Sequence, residues 1–224
     1  LQAPPRPCPA AGAILAVALA GIALLLPACR PLSPSQAVAD SSRSPTAAPG
    51  GTGPLPEAPL VFLGDSITAA GPWREAFPAR SVRNAAIPGN TTRDLLARLD
   101  ALRGLGGATV VLMAGINDIL QNDHPTPVAG RILRIRRELL ARGAARVVVV
   151  ATLPCEAARW GASCLAPVRE LNHRLRGAVP AADFLDLSAQ FADGAGLRPS
   201  LGVDGLHLGP EGYRLWLRSL RPML

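Results

Sequence analysis

Two short stretches of this chain hold residues able to do nucleophilic chemistry. In "VFLGDSITAAG" an apolar run stops at Gly64-Asp65-Ser66 and resumes with helical character. In "VDGLHLGPEGY" Asp204 stands three residues before His207. A serine hydroxyl is a poor nucleophile at neutral pH and needs an adjacent base to take its proton. His207 has a carboxylate at short, turn-compatible spacing. Asp204 at that spacing can accept the Nδ1 proton, leave Nε2 facing a hydroxyl and stabilise the imidazolium that forms. On its own, Gly-Asp-Ser is equally an ordinary turn, because these are common turn residues. The decision rests on the elements that must bring the two stretches together.

Five segments read as strands: "PLVFLG", "SVRNAA", "TVVLMAG", "RVVVVATLP" and "DFLDL". Several are apolar throughout, as strands covered on both faces are. Amphipathic segments alternate with them. "TTRDLLARLDALRG" has Thr91 and Asp94 at capping-box spacing, Leu95, Leu99 and Leu102 on one face, and Gly104 as its stop. "VAGRILRIRRELLARG" and "PVRELNHRLRGA" behave similarly, and "GPEGYRLWLRSL" sets Pro210 at a first helical position with Tyr213, Trp216, Leu217 and Leu220 on one stripe. Such alternation predicts an α/β fold, a doubly wound, flavodoxin-like three-layer sandwich around a parallel five-stranded sheet. Function in these folds gathers beyond the carboxyl ends of the strands. Ser66 follows the first strand, Gly89 of "NAAIPGNTT" the second and Asn117 of "AGINDI" the third, while Asp204 and His207 precede the last helix. One rim of the sheet thus collects all the candidates.

These four motifs, in this order, resemble the SGNH hydrolases, also called the GDSL esterase/lipase family, over essentially the whole region from Leu60 onward. The family's quartet falls on Ser66, Gly89, Asn117 and His207. Ile67 replaces the leucine of the naming tetrapeptide and Pro88 precedes Gly89, but neither change removes a reacting group. The resemblance implies a catalytic set of Ser66, Asp204 and His207. It also implies an oxyanion hole made of the Ser66 and Gly89 backbone amides and the Asn117 side chain. The G-x-S-x-G elbow of α/β-hydrolases is missing from the sequence. The implied activity is hydrolysis of carboxylic esters through an acyl-serine, with no metal and no organic cofactor. Short segments between motifs offer no lid domain, so a shallow cleft and short, acetyl-type acyl groups on carbohydrate, aryl or lysolipid scaffolds are expected. Thioesterase, lysophospholipase or acyl-transfer activity on the same serine is the alternative within enzymes. A non-catalytic lipoprotein that binds envelope polysaccharide is the alternative outside them.

The other polar candidates have plainer readings. Asp65 is expected to tie its own turn, Asp118 to orient a strand end and Asn172 to tie a loop. His124 is expected in a solvated loop and His173 on a helix surface.

Bulk properties bound the rest. The 224 residues suffice for one sizeable domain with appendages, and all 23 basic residues are arginine at a net charge of +7. Aromatics are only 4% and are not interleaved with the arginines, which argues against nucleic acid as a partner. Arg131, Arg134 and Arg137, at helical spacing among Ile132, Ile135 and Leu139, read as a solvated helix face. Arg6 followed by the apolar stretch Ala10 to Cys29 reads as an export signal over residues 1–28. "LPAC" resembles a bacterial lipobox and makes Cys29 the expected lipid acceptor, with simple secretion and then a retained membrane-spanning helix as the alternatives. Residues 29–58 are rich in Pro, Ser, Ala and Gly without apolar periodicity, a disordered tether reaching on the order of 30 Å. The folded domain is then 59–224, a monomer held at the cell envelope by its anchor. Cys8 falls in the signal, leaving Cys155 and Cys164 as a disulfide pair in an exported domain, or as two free thiols. A bridge there closes a ten-residue loop worth about 2.5–3 kcal/mol on the chain-entropy estimate.

Overall fold

In a computed structural model, residues 57–161, 164–194 and 196–224 are described. The expected export signal with Cys8, the lipid acceptor Cys29 and the tether through residue 56 lie outside the described residues. The expected strands form at β1 (Leu60–Gly64), β2 (Val82–Asn84), β3 (Thr109–Met113), β4 (Arg146–Val150) and β5 (Phe184–Leu185). They pair in parallel in the order β2-β1-β3-β4-β5. Every residue of β1 and β3 is buried, as is Val147–Val150 of β4, because helices cover both faces of the sheet. The chain reverses its direction of travel across the sheet between β1 and β3. That reversal opens a crevice at their carboxyl ends.

The helices are α1 (Ser66–Ala69), α2 (Trp73–Ala76), α3 (Thr92–Arg98), α4 (Ile116–Leu120), α5 (Pro125–Ala141), α6 (Ala157–Trp160), α7 (Leu165–Ala178), α8 (Ser188–Phe191) and α9 (Pro210–Leu220). α5 packs between α3 and α7. α3 begins with the expected capping box: the Thr91 hydroxyl accepts from the Asp94 amide, and the Asp94 carboxylate accepts from the Thr91 amide. It ends earlier than its leucine spacing predicts, tightening into a 3₁₀ turn at Leu99–Ala101 and becoming extended at Leu102. A small antiparallel pair, β6 (Ala192–Asp193) with β7 (Gly196–Leu197), has no counterpart among the expected strands. Cys155 and Cys164 form the expected disulfide, with their Cα atoms 6.4 Å apart.

Arg131 departs from the expected solvated face. Arg134 and Arg137 are exposed, but Arg131 flanks the buried stripe Val128, Ile132, Ile135 and Leu139 and turns inward. Its guanidinium donates to Thr92 Oγ1 at 2.6 Å, to Asp118 Oδ1 at 3.1 Å and to Asp123. The fully buried Asp118 also accepts from the Thr92 amide at 2.8 Å and the Thr92 hydroxyl at 2.6 Å. A carboxylate so buried requires a cation and hydrogen bonds to hold its charge. The same contacts tie α4 to the start of α3, and with them two rim loops.

Asp118→Ala strands Arg131 and the Thr92 donors, and is expected to cost about 3–5 kcal/mol in denaturant unfolding. Arg134→Ala removes only an exposed 3.9 Å pair with Glu138 and should stay within about 0.5 kcal/mol. Equal effects in the two variants would show that the buried network contributes nothing of its own.

Candidate active site

Ser66 is placed by the turn from β1 into α1. Asp65 caps α1, its Oδ1 accepting the Ile67 amide at 3.0 Å. Ser66 is therefore the first helical residue, and its N–H belongs to the donors that a helix's own ladder leaves over. Its side chain is half-buried at the crevice, and Oγ lies 2.9 Å from His207 Nε2, 141 residues away in sequence.

His207 and Asp204 occupy a tight loop closed by a bridge between Gly202 and Leu208 and by the Val203 amide donating to the His207 carbonyl at 2.9 Å. Asp204 Oδ1 accepts the amides of Leu206 at 3.0 Å and His207 at 2.7 Å. That leaves Oδ2 to meet His207 Nδ1 at 2.7 Å. With the Nδ1 proton directed at Asp204, Nε2 keeps its lone pair for the Ser66 hydroxyl. Partial burial pushes the Asp204 carboxyl upward, but the hydrogen bonds from the His207 ring, the His207 amide and the Leu206 amide outweigh it and hold it at about 2. Asp204 therefore stays ionised far below neutral pH.

The disulfide loop braces this acid–base loop from behind. The Glu156 amide donates to the Gly205 carbonyl at 2.7 Å, and the Trp160 indole N–H to the Asp204 carbonyl at 3.1 Å. Gly205 has a φ of +81°, and a Cβ there would lie 2.7 Å from Glu156 Cβ. Glycine alone suits both the turn and the approach. Neither Glu156 nor Trp160 stands out in the sequence as a site residue. Their one signal is their place between the two cysteines.

The loops after β2 and β3 meet at Asn90. The Ile87 amide donates to the Gly64 carbonyl at 3.1 Å, tying the β2 loop to the end of β1. Gly89 turns with a φ of +79° on the exposed side of this loop. The Asn117 side chain donates to the Asn90 carbonyl at 3.0 Å, while Arg98 holds the Asn90 side chain at 2.7 Å. One Asn117 amide hydrogen is thereby used for orientation, and the second is left for another acceptor. Asn90 is a further positioning residue without an evident sequence signal.

The structure thus joins Ser66, His207 and Asp204 directly and links Gly89's loop to Asn117. Asp118 lies beneath the rim in the network with Arg131. His124 is exposed and caps α5, accepting from the Thr126 amide at 3.3 Å. His173 is exposed on α7, and Asn172 exchanges hydrogen bonds with the Thr152 backbone. Among the described residues, no three His, Cys, Asp or Glu side chains are grouped as metal ligands.

Asp65 has the opposite environment from Asp204. Full burial raises its carboxyl to about 6, only partly offset by the Ile67 and Thr68 amides and the charge of His207. A folded-state value above the free 3.8 means that ionisation opposes folding. The native state is therefore penalised progressively as pH rises from about 4 through about 6. Asparagine caps helices as well as aspartate does. Asp65→Asn is expected to match the wild type in stability near pH 4 and to gain up to about 3 kcal/mol on it above pH 7. Chemical denaturation across that range checks this, and a gap independent of pH would contradict it.

Comparison with known proteins agrees with this geometry. Residues 62–215 match the GDSL-like lipase/acylhydrolase family. The chain is 31% identical over 183 residues to the platelet-activating factor acetylhydrolase IB subunit alpha1 of Bos taurus, covering 75% of each protein. Among solved structures, an acylhydrolase-type protein of Bacteroides fragilis superimposes with a TM-score of 0.62 at 27% identity, covering 74% of this chain and 86% of the other. A GDSL-like lipase of Bacteroides thetaiotaomicron does so with a TM-score of 0.62 at 24% identity, covering 73% and 85%. With most of the domain matched and a serine, a histidine and an aspartate hydrogen-bonded in series at its crevice, this chain belongs to the GDSL-like lipase/acylhydrolase family, whose chemistry is ester hydrolysis.

Proposed function

We propose that the protein is a serine esterase that removes short, acetyl-type acyl groups from carbohydrate, aryl or lysolipid scaffolds. The hydrogen-bonded series Ser66–His207–Asp204 is the observation that carries this reading. Ser66 Oγ attacks the ester carbonyl as its proton passes to His207 Nε2, and Asp204 stabilises the imidazolium. The amides of Ser66 and Gly89, with the second Asn117 amide hydrogen, serve the oxyanion. Breakdown releases the alcohol with the proton returned by His207. Water then resolves the acyl-serine by the same steps, restoring Ser66.

Three features support the preference for short acyl groups. The motif-bearing segments carry no inserted domain. The side chains of His207 and Asp204 keep 35% and 41% of their surface open. The cattle relative is by name an acetylhydrolase. The proposal extends to the chain's setting. A bacterial lipobox-like "LPAC" supports export, lipidation at Cys29 and a tethered domain held as a monomer at the cell envelope.

Labelling by a fluorophosphonate and turnover of p-nitrophenyl acetate are expected to disappear together in Ser66→Ala. Asn117→Ala should lose about 10²–10³ in kcat. Asp204→Asn, which favours the wrong tautomer of His207, should lose about 10⁴. Esterase activity near the wild-type rate in Ser66→Ala would sink the assignment. Faster acyl transfer to an added alcohol than to water would replace hydrolase with transferase.

A further inference from the structure

An apolar groove of about 510 Å³ runs along α9, and the mechanism above does not use it. One wall is Leu208 and Pro210, directly after His207. The other is Pro72 with Ala70, the C-cap of α1, four residues after Ser66. Tyr213 and Leu217 line it along α9. The Tyr213 hydroxyl is committed to the Ile67 carbonyl at 2.7 Å, so its ring is what remains to face the groove. The charged lining residue, Arg214, is paired with Glu211 at 2.6 Å. At the groove's near end Val203 is 66% exposed and its side chain lies beside Gly209. Such exposure of a large aliphatic residue has no role in packing the core.

Reaction geometry says which part of an ester this groove receives. When the tetrahedral adduct on Ser66 collapses, the bond from carbon to the alkoxy oxygen breaks and that oxygen takes the proton from His207 Nε2. The alkoxy oxygen must then lie within hydrogen-bond reach of Nε2, and the rest of the alcohol must leave on the His207 side. The residues following His207 are the first wall of the groove. Of the oxyanion donors, Gly89 and Asn117 instead come from the loops after β2 and β3. From Gly209 to Leu217 the groove spans roughly 12 Å at the helical rise, enough for a medium-length alkyl chain.

Resting on the esterase reading, we infer that this groove is the subsite for the leaving alcohol and that the substrate's alcohol carries an apolar, alkyl-like arm. The enzyme then selects esters by the length of the alcohol and holds the acyl side short. Acetylated amphiphiles fit this description better than acetylated polysaccharides.

The test measures kcat/KM of the full chain on methyl, butyl and octyl acetate and on p-nitrophenyl acetate, butyrate and octanoate. A rise of at least tenfold from methyl to octyl acetate is expected, with no rise along the acyl series. Leu217→Glu and Ala70→Trp, one altering polarity and the other filling space, should each lower the octyl-to-methyl ratio about tenfold. Because the readout is a ratio within one variant, partial loss of folded protein cancels. A gain along the acyl series, lost in the same variants, would reassign the groove to the acyl chain and overturn the inference. So would a flat alcohol series in an enzyme that a fluorophosphonate labels at Ser66. Failure of labelling together with failure on every ester would instead overturn the esterase reading itself.

Discussion

Everything at the rim depends on holding the C-terminal helix against the first strand–helix unit, because Ser66 and His207 are 141 residues apart and must meet at 2.9 Å. An aromatic cluster supplies that hold. Five of the chain's eight aromatic side chains converge there: Phe62 of β1, Trp73 of α2, Phe77 just beyond it, and Tyr213 and Trp216 of α9. Trp73 stacks on Phe62 at 4.2 Å and meets Trp216 edge-on at 5.0 Å and Tyr213 edge-on at 6.0 Å. Such contacts add to the hydrophobic burial of large rings and prefer defined geometry. Two hydrogen bonds fix the register: Trp73 Nε1 to the Thr68 carbonyl, and Tyr213 Oη to the Ile67 carbonyl. Both acceptors are within two residues of Ser66. The packing that docks α9 therefore also positions the helix that carries Ser66.

The remaining rim loops are tied in pairs. The Asp118–Thr92–Arg131 network joins the loop after β3 to the one after β2, and Asn117 to Asn90 repeats the link nearer the surface. The Ile87–Gly64 bond joins the β2 loop to the nucleophile turn, and the disulfide loop holds the Asp204–His207 loop. Each tie engages a backbone group, so it fixes where a loop runs. Donors that do not need to reorganise when charge develops stabilise it most. A rim stitched loop to loop meets that requirement without an added domain.

Much of this was legible in the sequence because it depends on local pattern. Val-rich runs bounded by turn residues read as covered strands, the Thr91–Asp94 spacing suits a capping box, and the spacing of Asp204 to His207 suffices for Oδ2 to reach Nδ1. The resemblance carried by four short motifs pointed to Ser66, Gly89 and Asn117, and the strand order brings their loops to one rim. What escaped depends on partners far away in the chain. Arg131 looks like its neighbours Arg134 and Arg137 until Asp118, buried 13 residues earlier, is seen to need a cation. Trp160 is unremarkable until its indole is found on the Asp204 carbonyl, 44 residues on. The groove along α9 is invisible to periodicity, since Leu217 satisfies the helix's apolar stripe whether it meets the core or a hollow.

The two carboxylates nearest the dyad show how environment divides labour between identical side chains. Asp204 is partly open to solvent and receives two backbone amides and the imidazole, so it holds its charge down to about 2. Asp65 adjoins Ser66 in sequence, yet its burial drives its carboxyl up to about 6. The Tyr213 phenol is pushed up to about 12 by its own burial first and by the charge of Asp65 second. A carboxylate whose charge is disfavoured by burial and lost already near pH 6 is a weaker electrostatic partner for an imidazolium, and one that accepts backbone amides in a helix cap has little freedom to turn toward it. Proximity in sequence would nominate Asp65 as the partner of the nucleophile. Solvation and hydrogen bonding favour Asp204 for that work in the proposed mechanism and leave Asp65 to shape the turn on which Ser66 stands.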